Sequence, residues 1–219
     1  MTGIAFPTDP AGYISNISQL VAEIRDEMDD SGYSLDKIYH AIGRAEALFN
    51  RELRVPQMET EVDLTVTQEV TDLPADFLAL RSVYSEGSPD NPLRSMSPAG
   101  LRGLYLGQSG NPKAYAIENM RLVVAPVGAA SITLLYYSKL TPLTDGNPTN
   151  WLLRDYPDLY LHQVLGILFQ KIGDRERAAD HLSQAAALIV QVNGAGRKAR
   201  WGAGPLTPAL VPQVRGARI

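Results

Sequence analysis

Apolar residues recur three and four apart toward both ends of the chain and two apart in its middle, so helix-like stretches flank strand-like ones. Ile17, Leu20, Val21, Ile24 and Met28 fall on one helical face, with Ser15 or Asn16 placed to cap it and Asp29-Asp30-Ser31-Gly32 to stop it. Ser34 can cap a second helix carrying Leu35, Ile38, Ile42, Ala45 and Phe49, which Pro56 ends. Two amphipathic helices joined by so short a turn predict an antiparallel hairpin whose stripe must be buried elsewhere.

The period then changes. Met58, Thr60, Val62, Leu64 and Val66 alternate with Glu59, Glu61, Asp63 and Thr65, the clearest strand in the chain. Further strands are expected over 68–72 and 78–84. A hairpin is expected over 114–125 with Asn119 in the left-handed position, and a last strand carries Ile132, Leu134 and Tyr136. One or two helical turns fit 98–106. Pro74 in Leu73-Pro74-Ala75-Asp76-Phe77 must end one strand before the next begins, and Gly110-Asn111-Pro112 is a turn releasing the chain toward Tyr115 and Ile117.

Helical spacing returns after Asn150, a capping residue, with Pro157 at a first helical position and Leu161, Leu165, Leu168 and Ile172 on one face. Gly173 ends this third long helix. Asp174 opens a fourth with Ala178, Leu182, Ala185, Ile189 and Val192, and Gly194 and Gly196 are expected to break it. The pattern predicts an α+β fold: four long helices in two antiparallel hairpins, with a small antiparallel β domain inserted between helices 2 and 3. The boundaries are an N-terminal arm over 1–14, a helical bundle over 15–56 and 150–193, the inserted domain over 57–149, and an extended basic tail over 194–219.

Composition changes this picture little: 219 residues at 45% hydrophobic and 20% charged suffice for a core. The absence of cysteine excludes disulfides and thiolate chemistry. Met1–Ile4 is followed by Pro7 and Pro10 without a basic stretch, which argues against a secretory leader. Pro126 and Gly128 divide the apolar run 122–138 into two strands, which argues against a membrane span. Charge is more telling. Five of the 20 Lys+Arg and none of the 24 acids lie from Gly194 onward, leaving residues 1–193 at −9. An acidic body with a basic tail points to a tail that meets an acidic partner, or to a solvated end.

Candidate chemistry is sparse. His40 and His162 share no helix face with a metal-spaced ligand; Asp158–His162 and Arg177–His181 are four apart, as ordinary helix pairs are, so no metal or cofactor is expected. Gly107-Gln108-Ser109-Gly110 lacks the glycine and the following helix of a nucleophile elbow. Gly194-Ala195-Gly196 follows a helix where a dinucleotide loop needs a strand. Glu59, Glu61 and Asp63 make an acidic face: a wall facing a polyanion or a cation, the solvated side of a sheet, or the carboxylates of a hydrolase. Arg197, Lys198, Arg200 and Trp201 mix cations with an aromatic, and with Pro205, Pro208, Pro212, Arg215 and Arg218 they form the candidate partner-binding tail.

The order of paired N-terminal helices, alternating strand, Leu73–Phe77 and Gly110–Ile117 continues through Leu122-Val123-Val124-Ala125-Pro126, Tyr136–Leu143 and the helix opening near Tyr156-Pro157-Asp158-Leu159-Tyr160. Across about residues 15 to 195 it resembles the head-to-tail adaptor (gateway, or tail tubular protein A-like) family of tailed bacteriophages. The resemblance implies a non-catalytic virion protein at the head–tail interface, assembled in the host cytoplasm. It further implies a homo-oligomeric ring, usually twelvefold, between portal and a downstream tail or nozzle protein, giving double-stranded DNA passage without specific binding and touching no membrane. The helices would build the ring, the sheet domain would face the tail, and the C-terminal arm would reach the portal. A carboxylate-dependent hydrolase, or a cellular helical adaptor binding an acidic partner through its basic tail, are the alternatives.

Overall fold

Asn16 opens the first helix: its side-chain oxygen accepts the Gln19 N–H at 3.0 Å. The computed structural model describes residues 13–30, 33–85, 90–105, 107–128 and 130–201, Trp201 by its backbone alone. Helix α1 spans Ile17–Glu27 and α2 spans Leu35–Glu52, where Ser34 holds the N-cap position without a side-chain cap bond. A 3-10 turn at Pro56–Met58 leads into strands β1 (Glu59–Val66), β2 (Val70–Asp72), β3 (Phe77–Ser85) and β4 (Arg94–Ser95). Then come α3 (Pro98–Tyr105), β5 (Ala114–Glu118), β6 (Arg121–Ala125), β7 (Ala130–Ser138), α4 (Trp151–Asp155), α5 (Pro157–Ile172) and α6 (Arg175–Trp201).

Three expectations about the helices need correction. The described residues form six α-helices, because the short α3 and α4 join the four long ones. The first hairpin does not close on itself: α1 and α2 both make their main helical contacts with α5, whose buried Leu159, Tyr160, Val164, Leu165 and Leu168 offer each a face. The fourth long helix does not break at Gly194 and Gly196, and runs to Trp201. A β-carbon on Gly196 would lie 2.9 Å from Val55 Cγ1 and 3.1 Å from Pro56 Cδ, so the residue read as a breaker lets the last turns of α6 settle on the 3-10 turn. The arm over 1–14 lies almost wholly outside the described residues.

The inserted region is α+β in its own right. One sheet has the order β1-β7-β3 and the second β2-β6-β5-β4. Among the named strands the pairings are antiparallel except β4 with β5, which departs from the expected antiparallel domain. Alternation sets the layers: Val66, Ile132 and Leu134 of the first sheet pack with Leu122 and Val124 of the second, while Ala114, Ala116, Val123 and Ala125 turn to Leu101 of α3. Asn119 and Met120 have φ of 50° and 59°, the two left-handed residues of a tight β5–β6 turn. The Leu73–Phe77 signature clamps β3 to β7. Asp76 accepts the Tyr136 hydroxyl at 3.0 Å, and Phe77 stacks on the Tyr136 ring at 5.7 Å. Burial, with the Asp76 carboxylate second, pushes the Tyr136 phenol up to about 12.

The return from sheet to helices is held by buried and half-buried polar groups. Asn50 accepts the Leu140 N–H and Glu46 the Leu143 N–H, both at 2.8 Å. Tyr160 donates to Glu46 at 3.1 Å and accepts from Asn150, which caps α4 by accepting the Leu153 N–H at 2.9 Å. Gly173, at φ 87°, ends α5 in the left-handed conformation a β-carbon disfavours, and the Asp174 carboxylate caps α6 by accepting the Arg177 N–H.

Candidate partner-binding region

Asn193 anchors the outgoing end of α6. Its amide donates to the Glu52 carbonyl and its oxygen accepts the Arg54 N–H, both at 2.9 Å, so one side chain satisfies groups at the C-terminal end of α2. Two turns on, Arg200 donates to Glu59 Oε1 through Nε at 2.9 Å and Nη2 at 2.5 Å, while Arg81 pairs with Oε2 of the same carboxylate. The Arg200 guanidinium also lies 5.7 Å from the Tyr137 ring centre. Arg200 and Glu59 side chains keep only 17% and 16% of their exposure, which makes this pair stronger than a surface ion pair.

The sequence candidates therefore divide. Arg200 is engaged by the first residue of β1, whereas Arg197 and Lys198 stand exposed on α6, with no ion pair among the described residues. Trp201 closes the helix, and Pro205, Pro208, Pro212, Arg215 and Arg218 lie outside the described residues. Helix α6 thus ends beside the start of the sheet domain.

The acidic face is not an open row of carboxylates. Glu59 holds two arginines, Glu61 accepts the Tyr84 hydroxyl at 3.0 Å, and Asp63 accepts the Thr133 hydroxyl at 2.7 Å. The bond to Glu61 raises the Tyr84 phenol above its ordinary value. Among the described residues no three His, Cys, Asp or Glu side chains are grouped as a metal site, and no helix is long and apolar enough to cross a membrane. Arg200→Ala is expected to lower stability by about 1.5–3 kcal/mol, nearer the lower figure because Arg81 still neutralises Glu59. Urea unfolding measures this, and an unchanged midpoint would remove the anchor.

Sequence reasoning missed this anchor because Glu59 and Arg200 are 141 residues apart and the glycines before Arg200 read as a break. It also missed the Glu46–Tyr160–Asn150 cluster, for which the one local signal was a carboxylate on the apolar face of α2.

The carboxylates of β1 are paired with hydroxyls and guanidinium groups of their own chain, and α6 carries the exposed cations Arg197 and Lys198. No curated protein matches the sequence. The chain belongs to the SU10 adaptor protein family, whose model matches residues 15–209. It is a structural, non-catalytic head-to-tail adaptor of tailed bacteriophages, a virion protein that forms an oligomeric ring and links portal to tail proteins. The hydrolase and cellular-adaptor readings give way to this membership.

Proposed function

We propose that residues 194–219 form the portal-binding element of a twelvefold ring, with Arg197 and Lys198 as its helical part and the following segment, with its prolines and Arg215 and Arg218, as its reach. The Arg200–Glu59 pair supports this reading most directly, because it holds the last turn of α6, which precedes the proline-bearing segment in sequence. A tethered segment starting from a rigid point loses less freedom on docking than one starting from a frayed helix. With Arg200 engaged by Glu59, its four other cations, Arg197, Lys198, Arg215 and Arg218, and its lack of acids favour an acidic partner surface.

In the same reading the helices supply the subunit contacts, the sheet domain of 57–149 faces the downstream tail or nozzle protein, and the acidic balance of residues 1–193 keeps double-stranded DNA sliding without specific binding. Assembly takes place in the host cytoplasm, and the protein ends at the head–tail interface of the virion.

A chain ending at Trp201 tests the proposal. It should keep the helical circular dichroism and thermal midpoint of the full chain, yet form no complex with portal by electron microscopy. Portal rings decorated equally by the shortened chain would overturn the assigned role. Mass photometry of the full-length complex counts the copies separately.

A further inference from the structure

We propose that His162 on α5 and His181 on α6 form a two-nitrogen site for a divalent transition metal of tetragonal preference, Cu2+ or Ni2+. The two Nδ1 atoms face each other at 3.0 Å, with ring centres 5.2 Å apart and planes inclined by 37°. Metal–imidazole bonds are about 2.0–2.1 Å long. Two such bonds at a right angle place the nitrogens about 2.8–3.0 Å apart, whereas a tetrahedral angle places them about 3.3 Å apart. The observed spacing, which is that of an N–H···N hydrogen bond between the rings, is also compatible with the right angle.

Other features of the helix pair hold that spacing. One turn beyond His162, Gly166 meets Leu182, the neighbour of His181, so closely that a β-carbon would lie 2.7 Å from Leu182 Cγ. The α5 and α6 backbones are thus pinned beside the histidines. The His181 ring also stacks on Phe169 at 5.4 Å and 17°, and Arg177 covers Phe169 at 4.5 Å. Both rings are half-buried, so a solvent-borne ion reaches them.

Charge favours the ion as well: the carboxylates of Asp158 on α5 and Glu27 on α1 act on His162 and favour an incoming cation. Without metal, one Nδ1–H donates to the other Nδ1. On binding, the donor ring releases that proton and takes one at Nε2, so no net proton is lost. Water fills the remaining coordination positions, since the described residues offer no third grouped ligand.

The test is Cu2+ titration of the full-length protein, read by electron paramagnetic resonance and thermal melting. One equivalent should bind with hyperfine structure from two nitrogens and raise the midpoint. Loss of an outer-shell partner alone weakens metal sites about 10–100-fold, so His162→Ala and His181→Ala should each cost at least that order. His40→Ala, which removes the one remaining imidazole, should change nothing. Circular dichroism confirms that the variants fold. Failure of the wild-type protein to bind, equal binding by the paired His162→Ala, His181→Ala variant, or an intense tetrahedral band with Co2+ would each overturn the assignment. The outcome is independent of the portal experiment.

Discussion

Gly166→Val is expected to destabilise the protein by about 3 kcal/mol, lowering Tm by roughly 6–12 °C for a chain of this length. The position is mid-helix, where glycine costs about 1 kcal/mol relative to alanine, so propensity alone predicts a gain. Packing reverses the sign. A β-carbon there would stand 2.7 Å from both Cγ and Cδ2 of Leu182 and 3.3 Å from its backbone nitrogen, so relief requires α6 to move and not merely a side-chain tip. Gly43 supplies the control, because a β-carbon at this exposed site on α2 meets nothing within 4 Å. Gly43→Ala should stabilise by about 0.5–1 kcal/mol. Urea unfolding of both variants separates the two effects, and equal midpoint shifts would show that the α5–α6 seam is not close-packed at Gly166.

Glu46→Ala should cost about 3 kcal/mol at neutral pH, since it strands the buried Leu143 N–H and Tyr160 hydroxyl together. Glu46→Gln should behave oppositely, because its amide oxygen keeps both bonds while the charge is gone. Burial raises the Glu46 carboxyl above its ordinary 4.5, although the bonds from Leu143 and Tyr160 oppose the shift. A carboxyl raised in the fold binds its proton more tightly there than in the unfolded chain. Its contribution is therefore fully present below about 4.5 and is lost as pH rises through the folded value. Glu46→Gln should thus match or exceed the wild-type protein in stability at pH 7, with its advantage vanishing near pH 4. A pH series of urea midpoints checks this, and an advantage growing toward acid would contradict it.

Both variants probe α5, around which the helical body is arranged. It receives α1 and α2 on its apolar face, α6 through Gly166, and the returning chain through Tyr160. The sheet domain joins the body through Glu59 and Arg200, and α6 carries this junction to the point where the proposed portal-binding segment begins.

Local pattern determined what local chemistry can determine. The alternation of Met58 to Val66 specified β1 and its two faces, Asp174 the opening of one helix and Ser15 or Asn16 that of another, Gly173 the end of a third, and Asn119 the β5–β6 turn. Each depends on steric or hydrogen-bonding preferences acting within a few residues. The order of these elements also sufficed to suggest the adaptor family. Tertiary structure decided the rest. Gly194 and Gly196 have weak helix propensity, yet α6 continues because Gly196 fits against Val55 and Pro56 and Arg200 finds Glu59. The acidic face of β1 becomes a set of satisfied pairs only when Arg81, Tyr84 and Thr133 arrive from other strands. His162 and His181 meet only across two helices. Propensity is worth tenths of a kcal/mol per residue, so burial and charge pairing between distant segments override it wherever they meet.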